Sequence, residues 1–249
     1  MLEFIIHTND TKININMISS FMKMKHRGPD ESNYISVSTD NLNNLNNVQQ
    51  QNIQLYLSKD DIRTYKQYTF IFAHHRLCVN DISYNATQPF EDPIVNKLLK
   101  YPELRNRPDR KLLCNGEIYN YQELKASHEF TDKDLSSTCD VEIILPLYIN
   151  NDIETTLNNI DGEYAFILTE NIKTFQLNKT NVYACRDYLG MRPLYYVKND
   201  DMSLCMFVSE IKSLPEYILN NPSYMIKHVI PGTYWSFQQS IMEKNDNFI

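Results

Sequence analysis

The sequence predicts an α+β protein in which helices cover antiparallel sheets. Two observations support this fold class: strand-like segments outnumber helical ones, and their spacing along the 249 residues is irregular. No strict alternation of strand and helix appears, so antiparallel pairing is favoured over a doubly wound parallel sheet. We find no internal repeat and no linker, and we therefore expect a single domain over residues 1–249.

The predicted strands are short runs rich in β-branched and aromatic residues. They lie at Glu3–His7, Tyr34–Ser38, Gln67–His75, Lys111–Cys114, Glu163–Thr169, Asn181–Arg186, Leu194–Val197, Leu204–Ser209 and Thr233–Phe237. Apolar residues at helical spacing predict helices at Ile13–Met24, Asn120–Ala126 and Asp140–Asn150. Pro146 lies where the interior of the last helix is expected. We interpret Asp40–Asn52, which is rich in Asn, as a surface insertion, and Asp81–Arg110 as mostly loop.

Composition excludes several classes of function. The net charge of −7 argues against nucleic-acid binding. No apolar run approaches the roughly 20 residues that span a bilayer, so no membrane association is expected. Residues 1–10 lack the features of a secretory signal, and the cytoplasm is the expected location.

Cysteine and glycine usage limits the cofactors that we expect. The five cysteines are odd in number and lack metal-type spacing, which favours reduced thiols and no metal site. The five glycines are too scattered to form a phosphate-binding loop. No cofactor is therefore predicted.

Nine short motifs occur along the chain in a fixed order. They are His26–Asp30, Ala73–Leu77, Gln88–Pro89, Asn115–Asn120, Asp140–Glu142, Asp161–Phe166, Arg186–Leu194, Ser209–Lys212 and Pro231–Gly232. With these motifs the chain resembles, over nearly its whole length, the N-terminal glutaminase domain of glutamine-hydrolysing asparagine synthetase. The block at Asn115–Asn120 favours that enzyme over other class II glutamine amidotransferases.

The resemblance implies a fold and a reaction. The fold is a four-layer αββα sandwich of two antiparallel sheets, of the N-terminal-nucleophile hydrolase type. The family's reaction is hydrolysis of L-glutamine to glutamate and ammonia for asparagine synthesis. Such acyl transfer needs a nucleophile, a base, an oxyanion hole and groups that hold the amino-acid end of the substrate.

By resemblance, Arg76 binds the α-carboxylate of glutamine and Asp140 its α-ammonium group. A guanidinium suits the first role because its fork matches a carboxylate. From the residues alone, a surface salt bridge explains Arg76 equally well. Asp140 precedes an apolar helical run, so a helix N-cap is the other interpretation of this residue, and the two roles are compatible.

The same resemblance makes Asn115 and Gly116 the oxyanion hole. The amide side chain and a backbone N–H would both donate to the developing charge. The alternative interpretation is an ordinary Asn-Gly hairpin turn. Further substrate contacts are expected from Leu77, Cys78, Val79, Asn80 and Glu117. We expect structural roles for Arg27, Arg186 and Asp187, with Arg186 and Asp187 holding the loop near Gly190.

The chain departs from the family pattern at residue 2. In the family a cysteine is exposed there after removal of the initiator Met, and its α-amino group serves as the base. Here residue 2 is Leu2, whose size favours retention of Met1. The distance from the start to His26 fits the family without a gap. Cys114 adjoins Asn115 and Cys78 follows Arg76 by two residues, but neither has a recognisable base.

Three hypotheses follow from this pattern. The first is an impaired glutaminase domain that still binds L-glutamine. The second is an active glutaminase that passes ammonia to a separate synthetase subunit, since no ATP-binding loop is present here. The third is a structural or regulatory module that acts through its surface.

Overall fold

The computed structural model describes residues 2–8, 19–38, 68–92, 108–131, 133–173, 178–200, 204–238 and 247–248. The chain forms two compact units from interleaved segments. The first unit contains residues 1–77 and 194–228, and the second contains residues 78–193 and 229–249. The single domain expected from the sequence stays a prediction. None of the described helices has the length and apolar character that crossing a membrane requires.

The described strands are numbered in chain order. They are β1 (Leu2–Thr8), β2 (Glu31–Ser38), β3 (Tyr68–Arg76), β4 (Phe90–Glu91), β5 (Asp109–Ile118), β6 (Gly162–Lys173), β7 (Asn178–Arg186), β8 (Tyr195–Asn199), β9 (Leu204–Val208), β10 (Tyr224–His228), β11 (Thr233–Gln238) and β12 (Asn247–Phe248). The α-helices that lie wholly within the described residues are α1 (Tyr121–Ser127), α2 (Ile144–Asn150), α3 (Ile153–Asn159) and α4 (Glu216–Leu219). Short 3-10 helices lie at Met22–Arg27, Tyr84–Ala86, Asp140–Ile143 and Ile211–Ser213.

The first unit contains one six-stranded sheet in the order β10-β8-β9-β1-β3-β2. All of its strand pairs are antiparallel. β1 lies between β9 and β3, with Leu2 opposite His74 and Glu3 opposite Val208. The start of the chain is thus built into the interior of a sheet, where both strand edges are paired.

The second unit contains the other six-stranded sheet, in the order β12-β11-β7-β6-β5-β4. Its pairs are also antiparallel. The long β5–β6 pair runs from Asp109 opposite Asn171 to Ile118 opposite Gly162. The predicted preference for antiparallel over parallel pairing is confirmed in both sheets.

One face of the second sheet packs against helices. Leu112, Cys114 and Ile118 of β5 belong to a buried apolar cluster that also contains Ile144 and Leu147 of α2. Alternate residues of a strand point to opposite faces. Asn115 and Glu117 therefore lie on the sheet face opposite the one that the helices cover.

Most predicted elements are confirmed with small shifts in their ends. Pro146 is accommodated because a 3-10 helix covers Asp140–Ile143 and the α-helix begins only at Ile144. A proline in the first turn of a helix costs no hydrogen bond, since the N–H groups of that turn have no intrahelical acceptor. β4, β10, β12, α3 and α4 were not predicted, and β4 lies in the segment interpreted as mostly loop.

Two predicted segments fall largely outside the described residues. Asp40–Asn52 lies wholly outside them. For the helix predicted at 13–24, only residues 19–24 are described: 19–21 are helical and the 3-10 helix at Met22–Arg27 continues past the predicted end.

His75 of β3 is fully buried beside Phe21, with the two rings stacked at a centroid distance of 3.8 Å. Its Nε2 donates to the Phe21 carbonyl oxygen at 2.9 Å, and its Nδ1 lies 2.7 Å from the Ser32 hydroxyl oxygen. Because a carbonyl only accepts, the proton sits on Nε2 and Ser32 donates to Nδ1. Burial lowers the pKa of His75, even though the bond to Phe21 opposes the shift.

We predict that His75 makes the stability of the fold fall in mild acid. A lowered folded-state pKa means that the unfolded chain binds the proton more readily, so stability is lost as pH falls below about 6.5. His75→Gln should lower the free energy of unfolding at pH 7.5 by about 1–2 kcal/mol and flatten its dependence on pH. Urea unfolding between pH 5 and 8 measures both, with exposed His128→Gln as the control. An unchanged pH dependence in His75→Gln would contradict the assignment.

Candidate functional site

Asn115 and Gly116 lie within β5, opposite Ala165 and Tyr164 of β6. The hairpin-turn alternative is therefore wrong, because the strand continues for two more residues to Ile118. A Cβ at Gly116 would lie 2.2 Å from the Glu163 carbonyl oxygen and 2.7 Å from the Tyr164 Cα. Both are backbone atoms of the paired strand. Glycine is required here because the two backbones approach too closely for a side chain.

Gly162 mirrors Gly116 across the same strand pair. A Cβ at Gly162 would lie 2.2 Å from the carbonyl oxygen of Glu117. Each glycine thus faces the backbone oxygen of a glutamate on the neighbouring strand. Glu117 and Glu163 are themselves directly opposite each other.

The side-chain nitrogen of Asn115, Nδ2, is buried and has no hydrogen-bond partner among the described residues. Buried donors are nearly always paired, because leaving one unpaired costs about 1–3 kcal/mol. The amide is carried by β5, whose backbone pairs with β6 at Asn115 itself, so the position of its Cα is fixed. This donor is therefore available to an acceptor that the described part of the chain does not supply.

Asp140 begins the 3-10 helix that leads into α2, and only 8% of the residue is exposed. Its Oδ2 accepts from the backbone N–H of Ile118 at 2.6 Å, and its Oδ1 accepts from Nδ2 of Asn80 at 2.7 Å. The N-cap alternative is wrong, because Cys139 occupies that position and no side chain caps the helix. The carboxylate is instead directed to the end of β5, where each oxygen still has a second lone pair for a ligand.

The loop before Asp140 is organised by two other carboxylates. Glu142, 1% exposed, accepts from the backbone N–H and the hydroxyl of both Ser136 and Ser137, at distances of 2.5–2.9 Å. Asp81 accepts from the backbone N–H and the hydroxyl of Thr138 at 2.8 and 3.0 Å. Hydrogen bonds from Ser83 and Thr138 hold the pKa of Asp81 well below its usual range.

These carboxylates position Asp140, and sequence reasoning gave neither of them a role. The contacts of Glu142 span only five and six residues, so the Ser136–Thr138 run was a usable signal for a carboxylate-centred turn. The bond from Thr138 to Asp81 spans 57 residues and has no local signal.

Glu117 and Glu163 share one cation, Arg192. Nη2 of Arg192 lies 2.6 Å from Oε1 of Glu163 and 3.9 Å from Oε1 of Glu117. The Glu117 side chain is 45% exposed and that of Glu163 is 21% exposed. Nε of Arg192 is buried and has no hydrogen-bond partner within the described part of the chain.

Arg186 and Asp187 hold the loop that carries Arg192, as expected. Arg186 donates to the carbonyl oxygens of Gly190, Arg192 and Val229 at 2.7–2.9 Å. The Asp187 carboxylate accepts from the backbone N–H groups of Met191 and Arg192 at 2.9 and 3.1 Å. Gly190 has a φ of +65°, a conformation that favours glycine.

Arg76 lies at the end of β3 in the first unit. Its side chain is 8% exposed, and Nη1 lies 3.3 Å from Oε2 of Glu31, the residue opposite it on β2. The salt bridge considered for Arg76 thus exists, but it is buried rather than on the surface. Arg27, expected to be structural, pairs with Glu210 in the same unit.

The predicted substrate contacts divide between the two units. Asn80, Asn115, Gly116, Glu117 and Asp140 all lie in the second unit, together with Cys78 and Val79. Leu77 and Arg76 lie in the first. The structure directly joins Asn80 to Asp140. Leu77 and Val79 have exposed side chains, with 58% and 64% of each residue accessible.

Leu2 is fully buried in β1. Its N–H donates to the hydroxyl oxygen of Ser209 at 3.1 Å, and its carbonyl oxygen accepts from the Ser209 N–H at the same distance. The side chain is aliphatic and carries no group that can attack an amide carbon.

The five cysteines, all among the described residues, are thiols rather than disulfides. Burial raises the pKa of Cys114 and of Cys185 well above the usual value, and raises that of Cys205 to about 12. A raised thiol pKa removes the thiolate that nucleophilic attack needs. Cys114 also lies in the apolar cluster beneath the sheet, on the face opposite Asn115.

Comparison with solved structures shows the fold. The glutamine phosphoribosylpyrophosphate amidotransferase from B. subtilis superposes with a TM-score of 0.65 at 19% sequence identity, covering 99% of this chain and 49% of that one. The likeness confirms the predicted fold class, an α+β amidotransferase fold with two antiparallel sheets. At this identity it shows the fold alone.

Sequence comparison shows the family. The model of the glutamine amidotransferase domain matches residues 36–244, and the chain belongs to this family. A probable glutamine-hydrolysing asparagine synthetase of Acanthamoeba polyphaga mimivirus is 31% identical over 185 residues, which are 73% of this chain and 28% of that protein. The human asparagine synthetase is 31% identical over 217 residues, 86% of this chain and 30% of that enzyme. The chain therefore spans less than a third of either relative.

We predict that Glu142→Gln destabilises the loop that delivers Asp140. The amide nitrogen cannot accept, so donors of Ser136 or Ser137 lose their partner, at a cost of about 2–3 kcal/mol. Urea unfolding measures the change, and exposed Glu123→Gln on α1 is the matched control. Equal stability of the two variants would contradict the role of Glu142.

Proposed function

We propose that this chain binds L-glutamine in an amidotransferase site whose hydrolytic step is impaired because Leu2 occupies the nucleophile position. The observation that carries the proposal is the buried Asn115 Nδ2, a fixed donor without an acceptor among the described residues. The membership of the chain in the glutamine amidotransferase family gives the substrate class.

Asn115 and Gly116 have the chemistry of an oxyanion hole. The Asn115 amide would donate to the amide oxygen of glutamine, and Gly116 leaves backbone beside it unobstructed by a side chain. A donor held rigidly by a sheet pays no reorganisation cost when it meets its acceptor. Removal of one such donor typically costs about 3–4 kcal/mol of transition-state stabilisation in an active enzyme.

Asp140 supports the proposal through its charge and its buried position. Its carboxylate accepts from Ile118 N–H and from Asn80, which fix its orientation. A glutamine α-ammonium group would complete its coordination, and Arg76 would take the α-carboxylate. Leu77, Cys78, Val79 and Asn80 would contribute backbone or side-chain contacts, and Glu117 would complete the polar rim.

The impaired step follows from the residue types at the start of β1. Leu2 offers neither thiol nor hydroxyl, and its backbone N–H already donates to Ser209. Cys114, a thiol beside the oxyanion residue in sequence, has a raised pKa and lies among apolar side chains. An active glutaminase serving a separate synthetase subunit would need a nucleophile other than these residues.

A surface role is the second candidate. Tyr188, Leu189 and Met191 are 79%, 74% and 61% exposed on the loop that Arg186 and Asp187 hold. Exposed apolar residues grouped on one loop often mark a contact site. A regulatory module of this kind would keep its role in variants of Asn115, Arg76 and Asp140. The cytoplasm remains the location we expect for either candidate.

We predict that the purified protein binds L-glutamine and that Asn115→Ala weakens binding about tenfold, since a lost hydrogen bond is worth about 1–1.5 kcal/mol. Asp140→Asn should weaken it by about 10–100-fold, because a charge-assisted bond is lost. Isothermal titration calorimetry measures both. The matched control is Asn85→Ala, which alters an exposed asparagine on the 3-10 helix at Tyr84–Ala86.

Absence of binding at millimolar glutamine would reject the proposal. If glutamine binds, the assigned site would still be rejected by one result: an affinity for glutamine that is the same as that of the parent in Asn115→Ala, Asp140→Asn and Arg76→Ala.

We predict that the parent protein produces no glutamate from glutamine and that Leu2→Cys gains measurable production. The smaller side chain fits the buried position, and a small second residue favours removal of Met1. Leu2→Ala is the control, since it makes the same space without a thiol. Glutamate release is measured on protein whose N-terminus is verified by mass spectrometry. An inactive Leu2→Cys with a free N-terminal cysteine would show that the rest of the site is also degenerate.

A further inference from the structure

We propose that Arg192 is a positioning residue that neutralises Glu163 and so presents the carboxylate of Glu117 to the ammonium group of a zwitterionic amino acid. The inference rests on the proposed glutamine site and deepens it, because it names the residue that sets the charge of the polar rim. Arg192, Glu163 and Glu117 all lie in the second unit.

Two like charges face each other across β5 and β6. Glu117 and Glu163 are directly paired in the register, and side chains of such pairs have Cβ atoms roughly 4.5–5.5 Å apart. Like charges at this separation destabilise a sheet unless a cation lies between them. Arg192 supplies that cation, which leaves the three side chains with a net charge of one negative unit.

The cation is not shared equally. Its Nη2 makes a 2.6 Å ion pair with Glu163 but stays 3.9 Å from Glu117. Glu163 is also the more buried carboxylate, with 21% of its side chain exposed against 45% for Glu117. Glu163 is thus neutralised, while Glu117 keeps an accessible side on which a second cation can bind.

The position of Arg192 is set by its backbone. Its N–H donates to the Asp187 carboxylate at 3.1 Å, and its carbonyl oxygen accepts from Nε of Arg186 at 2.9 Å. Arg186 and Asp187 are 9% and 2% exposed, so this pair of buried charges fixes the point from which the Arg192 side chain starts. Arg186, Asp187 and Arg192 all belong to the Arg186–Leu194 motif, and together they set the position of the Arg192 side chain.

The test is a double-variant cycle on L-glutamine affinity, measured by isothermal titration calorimetry. R192Q removes the cation, leaves two facing carboxylates and should weaken binding at least tenfold. Adding E163Q to R192Q removes the second negative charge, restores the single charge of the group and should recover affinity to within about threefold of the parent. A purely structural role for Arg192 would not be rescued by this second substitution.

Two further variants complete the experiment. R192K keeps the charge but loses the planar fork, and should fall between the parent and R192Q. L189A, on the same loop and 74% exposed, is the control and should bind as the parent does. Unfolding midpoints of every variant show whether each is folded at the temperature of titration.

The outcomes separate this inference from the proposed function. If the parent does not bind glutamine, both fail. If the parent binds and R192Q binds equally well, or if R192Q/E163Q stays as weak as R192Q, only the role of Arg192 is overturned.

Discussion

The register of β5 against β6 is the constraint on which the candidate site depends. It sets Asn115 and Glu117 on the face away from the helices, and it places Glu117 opposite Glu163. A shift by one residue would exchange the two faces: Asn115 and Glu117 would turn toward the helices, and Leu112, Cys114 and Ile118 would turn away from them. The apolar cluster beneath the sheet therefore specifies the site above it, since only one register buries the apolar side chains.

The carboxylates of the second unit are held in position by hydrogen bonds from backbone N–H groups as much as by ion pairs. Asp140 accepts from a strand N–H, Glu142 from two loop N–H groups, and Asp187 from two more. Buried carboxylates are costly unless such donors replace water. Each of these carboxylates can be buried because backbone N–H groups donate to it. Each therefore holds the backbone segment that supplies those donors. The loops around β5 gain defined geometry without regular secondary structure.

Much of the fold was predictable because strands carry their signal locally. The apolar runs of β1, β3 and β6 are continuous and were recognised. β10 was missed because its apolar face consists only of Tyr224 and Ile226, which are partly buried, and an alternation of two residues is a weak signal. The Asn115–Gly116 pair is a strong local signal for a turn. The long β6 strand overrides this signal because it pairs with the β5 residues both before and after Asn115–Gly116. Local rules fail where partners are distant in sequence.

The candidate site, like the fold, was predictable only in part. The polar residues were recognisable from their motifs, whereas the contacts that orient them were not. Asn80 reaches Asp140 over 60 residues, and Arg192 reaches Glu163 over 29. No periodicity or spacing encodes such contacts. The two glycines of the β5–β6 pair have a practical consequence for anyone who wishes to redesign the ligand preference of this domain. Because positions 116 and 162 admit no side chain, a library built on this strand pair must draw its diversity from Asn115, Glu117 and Glu163 and from Arg192, which pairs with the two glutamates.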